Sequence, residues 1–261
     1  MILPLIAGGL MISLLSLPLV AVAWRALEHL DDIDDRSQRT INDALTLTAV
    51  TSLASLAIIL GLGTPLAYVI ARNQFRGKTI VETVIDLPMI LPPAVAGLAL
   101  LMAFGRRGLL GTYLDDAGIR VGFTTGAVIL AQIFVASPFY IRSARAAFSK
   151  IEPGMEEAAA DLGAGPLTVL RTVTAPLAAP GLAAGAVLSW ARAVGEFGAT
   201  IMFAGNLPRT TQTLPLAIYG RYEAGDLNTA LVMALLLLIS SFLVLASVRS
   251  IGGRLRLSAA D

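Results

Sequence analysis

The sequence has no cysteine, a single histidine and few charges: 14% of its 261 residues. Without cysteine there is no disulfide framework and no thiolate metal site. His29 is the lone imidazole. That excludes a histidine pair, an H-E-x-x-H zinc motif and a serine–histidine couple inside an apolar segment. His29 itself sits among Glu28, Asp31 and Asp32 and reads as a solvated surface residue. A soluble domain carries about 25% charged residues, so the deficit points away from that class. The net charge of +1 leaves no polybasic surface, and nucleic acid is not an expected partner. Gly-x-Gly pairs occur at Gly61–Gly63 and Gly163–Gly165, inside or beside apolar segments. Neither follows a soluble strand as a phosphate loop does. The chain is therefore not expected to be an enzyme, to bind a cofactor or metal, or to hold ATP itself.

Apolar sequence fills the space the charges leave. Hydrophobic residues make up 56% of the chain and the mean hydropathy is +0.77. About 20 consecutive apolar residues cross the ~30 Å hydrocarbon core. By that rule the fold class is an all-α polytopic membrane protein with six transmembrane helices. The spans are expected at about 2–24, 44–71, 86–104, 122–141, 177–204 and 228–248. Ala21-Val22-Ala23 resembles a signal-peptidase site, but no basic residue precedes the apolar run, which is long enough to span, so a retained first helix is expected. Gly61, Gly63 and Pro65 make a bend in the second span plausible. No sequence repeat or linker marks a second domain, and no sensing domain is expected after Asp261.

Lys and Arg placement orients the spans. The links 72–80 and 142–176 with the C-terminal tail carry 10 basic residues, including both lysines and Arg249, Arg254 and Arg256; the opposite links carry 8. The short 72–80 link is purely basic. Both termini and the 142–176 link are placed in the cytoplasm.

That link holds a polar-bearing segment between two apolar ones. Pro153 can open a helix, because a first-turn residue needs no amide donor. Glu156 and Glu157 suit the positive end of the helix dipole. Gly163 supplies a left-handed stop, Gly165-Pro166 starts a second short helix, and Pro176 leads back into apolar sequence. Two further places carry chemistry. Lys78 and Glu82, four apart, suit an ion pair on a short interfacial helix. Pro88, Pro92 and Pro93 then enter a span, either as a structural kink or as a bend beside a transport pathway. In the fifth span Arg192 and Glu196 stack at i, i+4. Ionisable groups in a membrane are costly unless paired or wet. The pair reads either as an internal ion pair or as the wall of a polar cavity in which a guanidinium meets an oxyanion. Gly195 and Gly198 allow close helix approach.

The segment Glu157-Ala158-Ala159, three residues, Gly163, nine residues, Val173-Thr174-Ala175-Pro176 resembles the EAA loop of ATP-binding-cassette (ABC) importer permeases. The family pattern ends I-x-L-P, so Val173 replaces Ile and Ala175 replaces Leu. The resemblance implies the type I importer permease (MetI-like) fold, with a single transmembrane domain over 1–261 and a cytoplasmic coupling helix in an EAA loop at about 150–176. Glu157, Ala158, Ala159, Gly163 and Pro176 would then meet the ATPase. Residues 192–208, 211–219 and 87–111 are similar to the ModB family of molybdate permeases. That likeness implies a molybdate pathway, with Arg192, Glu196, Pro92 and Pro93 as candidate lining. It implies as partners a second copy of the chain, a ModC-like cytoplasmic ATPase dimer that uses the ATP, and a ModA-like extracytoplasmic molybdate-binding protein. Tungstate is nearly isosteric with molybdate, and sulfate or thiosulfate permeases share the R-x-x-G-E-[FY]-G region. A secondary transporter would instead spread ionisable residues over several spans and show an inverted repeat.

Overall fold

A computed structural model describes the backbone of residues 2–257 and the side chains of residues 4–243 and Ala246. The side chains of Arg249, Arg254 and Arg256 lie outside the described residues. Among the described residues every regular element is a helix: α1 (Ile2–Glu28), α2 (Asp35–Arg72), α3 (Lys78–Ile90), α4 (Pro93–Phe104), α5 (Gly111–Asp116), α6 (Thr125–Ser149), α7 (Pro153–Asp161), α8 (Pro166–Val169), α9 (Ala175–Val194), α10 (Gly198–Ala204), α11 (Leu214–Glu223) and α12 (Leu227–Leu257), with a 3₁₀ turn at Leu30–Asp32 and a π turn at Leu170–Thr174.

Four of these helices or helix runs are long and apolar enough to cross a membrane: α1 from Pro4, α2, α6 and the continuous Pro166–Val194 run. The pair α3–α4 makes a fifth only if its two halves count as one span, because they meet at 119°. The described apolar part of α12, Leu227–Leu243, is shorter than the other spans. Thus the span expected at 86–104 is not one straight helix. Pro93 lacks an N–H to continue α3, and the residue before a proline is pushed out of the helical region. Leu91 and Pro92 are accordingly extended, with ψ of 135° at both. The span expected at 177–204 is also interrupted, between Val194 and Gly198.

The second span is continuous where the third and fifth are interrupted. It runs unbroken through Gly61, Gly63 and Pro65 and begins nine residues earlier, at Asp35 rather than Ala44. Asp34 caps it, accepting the Ser37 N–H at 2.8 Å. That bond holds the Asp34 carboxyl below its ordinary pKa. At 38 residues the helix is about 57 Å long, well beyond the hydrocarbon core. Lys78 and Glu82 do not pair. Lys78 Nζ donates to the Asn73 carbonyl at 3.1 Å, while Glu82 reaches Arg145 of α6 at 2.6 Å. His29 lies 2.8 Å from Asp32 and is half-buried.

The centre of the fold is the packing of α2, α6 and α9. Small residues let α9 approach: a Cβ on Gly181 would stand 2.5 Å from the Ala147 Cβ, and one on Gly185 2.7 Å from the Ser143 Cβ. A buried polar seam crosses the same contact. Gln132 Nε2 donates to Thr51 Oγ1 at 3.2 Å, Ser55 Oγ lies 2.9 Å from Gln132 Oε1, and Trp190 Nε1 donates to Ser52 Oγ at 3.0 Å. With no water to compete, such bonds contribute about 0.6–2 kcal/mol each. α1 stands apart, its side chains largely exposed, and packs against α12.

Candidate functional site

Two places collect the residues singled out in the sequence. The first is the segment 150–176. Pro153 occupies the first turn of α7 and Glu152 precedes it in extended conformation. The far end closes as a Schellman turn. Gly163 N–H donates to the Ala160 carbonyl at 2.9 Å and Ala164 N–H to the Ala159 carbonyl at 3.1 Å, with Gly163 at φ +90°. Nothing lies within 4 Å of where a Gly163 Cβ would stand. Conformation, not space, requires the glycine there. Gly165-Pro166 then opens α8, and the π turn carries the chain into α9, where Pro176 is exposed.

The loop shows an apolar surface with a carboxylate beside it. Glu157 and Ala158 are exposed and Ala159 is half-buried. Leu162 is 90% exposed, and Met155 and Leu167 are also uncovered. An uncovered group of large apolar side chains on a polar segment marks an interaction site.

Beneath that surface the structure makes a junction that the sequence did not reveal. Glu156, not Glu157, turns inward. Its Oε1 accepts from Arg72 Nη2 at 2.8 Å and from Thr174 Oγ1 at 2.6 Å. Arg72 Nη1 donates to the Ile151 carbonyl at 3.0 Å. One carboxylate thus ties α7 to the last turn of α2 and to the π turn that enters α9. Both charged side chains are about 15% exposed. Arg72 and Glu156 are 84 residues apart, and the only local signal was a basic residue at a helix end. Glu156→Ala removes the acceptor of two donors, and breaking such bonds costs about 1–3 kcal/mol. The expected result is faster amide exchange and proteolysis confined to 150–176 in the purified protein. Glu156→Gln, which can still accept from Thr174, should restore part of the protection.

The second place is the crossing of α4 with the α9–α10 break. α9 ends at Val194, and Glu196 turns back so that its Oε2 lies 2.6 Å from Arg192 Nη2. Its Oε1 accepts the Ala199 N–H at 2.7 Å, capping α10. Glu196 is 1% exposed and Arg192 28%. The i, i+4 pair therefore forms across the end of a helix rather than along its face. Pro93 and Gly198 meet here: a Cβ on Gly198 would stand 2.4 Å from the Pro93 Cβ. One turn on, a Cβ on Gly97 would stand 2.6 Å from the Ala199 carbonyl oxygen. The structure thus brings Pro93 to the chain break that holds Arg192 and Glu196, and leaves Pro92 exposed at the bend. Thr200 Oγ1, one turn beyond Glu196, is buried without a hydrogen-bond partner. Glycine spacing suggested close packing here; the only local signal for the break was Gly195 at the end of α9.

Comparison with known proteins agrees with this architecture. The family model for the binding-protein-dependent transport system inner membrane component matches residues 63–257. The molybdenum transport system permease protein ModB of Mycobacterium tuberculosis (strain ATCC 25618 / H37Rv) is 44% identical over 250 residues, covering 94% of this chain and 91% of that protein. A probable sulfate transport system permease protein, cysT of Nephroselmis olivacea, is 37% identical over 204 residues, covering 78% and 71%. Among solved structures, a bacterial ABC transporter that imports the acidic polysaccharide alginate superposes with a TM-score of 0.74 at 16% identity, covering 97% of this chain and 95% of that one. The fold is that of an ABC importer permease, and the chain belongs to the family of binding-protein-dependent transport system inner membrane components.

Proposed function

We propose that this chain is the permease subunit of an ATP-driven importer and forms, with a second copy of itself, the pathway that carries molybdate across the cytoplasmic membrane. The observation that carries the reading is the 44% identity to a molybdenum permease over 94% of the chain. Membership of an ABC family sets aside a secondary transporter. A ModC-like ATPase dimer supplies the energy, and this chain binds no cofactor of its own. A ModA-like extracytoplasmic binding protein delivers the oxyanion. The basic 72–80 link and the exposure of both Leu162 and Glu157 support placing α7 and both termini on the cytoplasmic side, with α7 as the helix that docks on the ATPase. ATP favours the closed ATPase dimer, and that difference in affinity shifts the spans from inward to outward opening. The junction of Glu156 with Arg72 and Thr174 offers a rigid path for the shift into α2 and α9.

The test is uptake into proteoliposomes by the chain assembled with its ATPase and binding protein. Glu157→Ala and Gly163→Val are each expected to lower ATP-coupled uptake at least about tenfold, a loss of about 1.4 kcal/mol or more of coupling, while the spans stay folded. Normal assembly and uptake in both would sink the docking role of α7. Sulfate or thiosulfate is the second reading, favoured by the 37% identity to the sulfate permease. Molybdate and tungstate are expected to compete with each other and outcompete sulfate; a strong sulfate preference would replace molybdate with sulfate as cargo.

A further inference from the structure

We propose that a cleft between the first turns of α2 and the loop and helix at 205–223 is a binding site for a doubly charged tetrahedral oxyanion. It lies on the membrane face opposite α7. Its role as a receiving site rests on the importer reading above; its ability to bind the anion does not.

The position follows from α2. Arg36 and Arg72 are 36 residues apart on one unbroken helix, which separates them by about 54 Å. The hydrocarbon core is ~30 Å. Arg72 is tied to Glu156 of α7, so Arg36 emerges on the other side. There the cavity encloses about 570 Å³, and Arg36, Arg39, Thr40, Arg209, Gln212 and Arg221 line it. Asp43 is the one acidic residue in its wall.

Four arginines around one concavity repel one another unless anions intervene. Two are answered within the chain. Arg209 reaches Asp43 at 3.3 Å; Arg221 reaches Asp226 at 3.1 Å and donates to Thr40 Oγ1 at 3.0 Å. Asp34, two residues before Arg36, caps α2 and is held below its ordinary pKa first by Ser37 and then by the nearby charges of Arg221 and Arg36. Among the described residues Arg36 and Arg39 form no ion pair. Two of the four guanidinium groups are thus left without a contact carboxylate, and a dianion can serve both. A guanidinium presents planar paired donors that fit two oxygens of an oxyanion, and the Gln212 amide adds a neutral donor.

The wall is built rather than incidental. Arg209 has φ +63°, the left-handed region that a long side chain adopts only when its surroundings impose it, and such outliers gather at ligand sites. The imposition is visible. The Leu207 carbonyl accepts from the N–H groups of Thr210, Thr211 and Gln212 at 3.2, 2.9 and 3.0 Å, and Leu207 N–H donates to Thr211 Oγ1 at 2.9 Å. Thr211 is fully buried. This turn fixes Arg209 and Gln212 against α2. The cavity is far larger than one ion, given about 30 Å³ per water. The ion would be held with part of its water shell, weakly enough to move on.

The test is equilibrium dialysis of molybdate, and separately of sulfate, against the full chain assembled with its ATPase and without the binding protein. Both anions are expected to bind, with affinity falling steeply as salt rises. In the double variant Arg36→Gln/Arg39→Gln, thermal unfolding should be unchanged, because neither side chain is buried or paired, and affinity should fall about tenfold or more. Arg36→Lys/Arg39→Lys keeps the charge without the fork and should fall between. Wild-type affinity in the glutamine variant overturns the site, as does no anion binding by the wild type. So does a variant that binds free anion normally yet no longer captures the binding protein, which would make the cleft a docking face for acidic protein surface. Failure of the wild type to transport molybdate in liposomes, with sulfate still bound at the cleft, would overturn the cargo and keep the site.

Discussion

Glu196→Ala is expected to destabilise the fold by roughly 3–4 kcal/mol, the lower part of the range for breaking a buried ion pair, because Arg192 keeps some access to water. Two losses combine. Arg192 is left without its carboxylate 2.6 Å away, and the Ala199 N–H at the start of α10 loses its acceptor. In lipid neither group finds a substitute readily. The same change should reduce uptake, since α10 packs directly on α4 at the bend. Thermal unfolding of the detergent-solubilised chain reads the first effect and proteoliposome uptake the second. Glu196→Gln separates them: it can still accept from Ala199 but leaves Arg192 unneutralised. If Glu196→Ala unfolds at the wild-type temperature, the capping and pairing roles both fail.

Gly97→Leu is expected to be at least as damaging, by about 3 kcal/mol or more, because overpacking against backbone cannot be relieved by a rotamer change. The Cβ would stand 2.6 Å from the Ala199 carbonyl oxygen, 2.7 Å from the Met202 Cβ and 2.9 Å from the Ala199 Cα. Either α4 and α10 separate or neither forms in place. Gly61→Ala is the control. Nothing lies within 4 Å of its Cβ position in the middle of α2, and alanine gains up to about 1 kcal/mol of helix propensity over glycine. The control should unfold at or above the wild-type temperature, and the Gly97 variant should unfold well below it. Equal behaviour of the two would mean that α4 and α10 do not pack as described.

These two residues show how far the sequence reaches. Glycine at 97 and at 198 looks in sequence like any glycine in an apolar run. Their meaning comes from Ala199 and Pro93, which lie about a hundred residues away and are brought there by the fold. The bend at Pro92-Pro93 was legible, because two prolines cannot continue a helix. Its 119° angle was not, since it depends on α10 lying against the first turn of α4. The break after Val194 left only a weak mark, Gly195 at the helix end, because Gly195-Glu196-Phe197 contains nothing that forbids a helix. It exists because Glu196 gains the Ala199 N–H and keeps Arg192 only when the chain turns.

Local chemistry alone determined the membrane class, the helical fold and the course of the 150–176 segment. Apolar length is read by the bilayer, Pro153 is suited to the first turn of a helix, and Gly163 accepts a left-handed turn at little cost. Each of these is settled within one continuous stretch of the chain. Tertiary structure decided which carboxylate of Glu156-Glu157 faces inward, how the two broken spans pack on each other, and that four arginines share one cleft. Each of those depends on a partner distant in sequence: Arg72 for Glu156, Pro93 for Gly198, Arg209 for Arg36 and Arg39. No periodicity records such pairs, because the free energy that selects them appears only once the helices have packed.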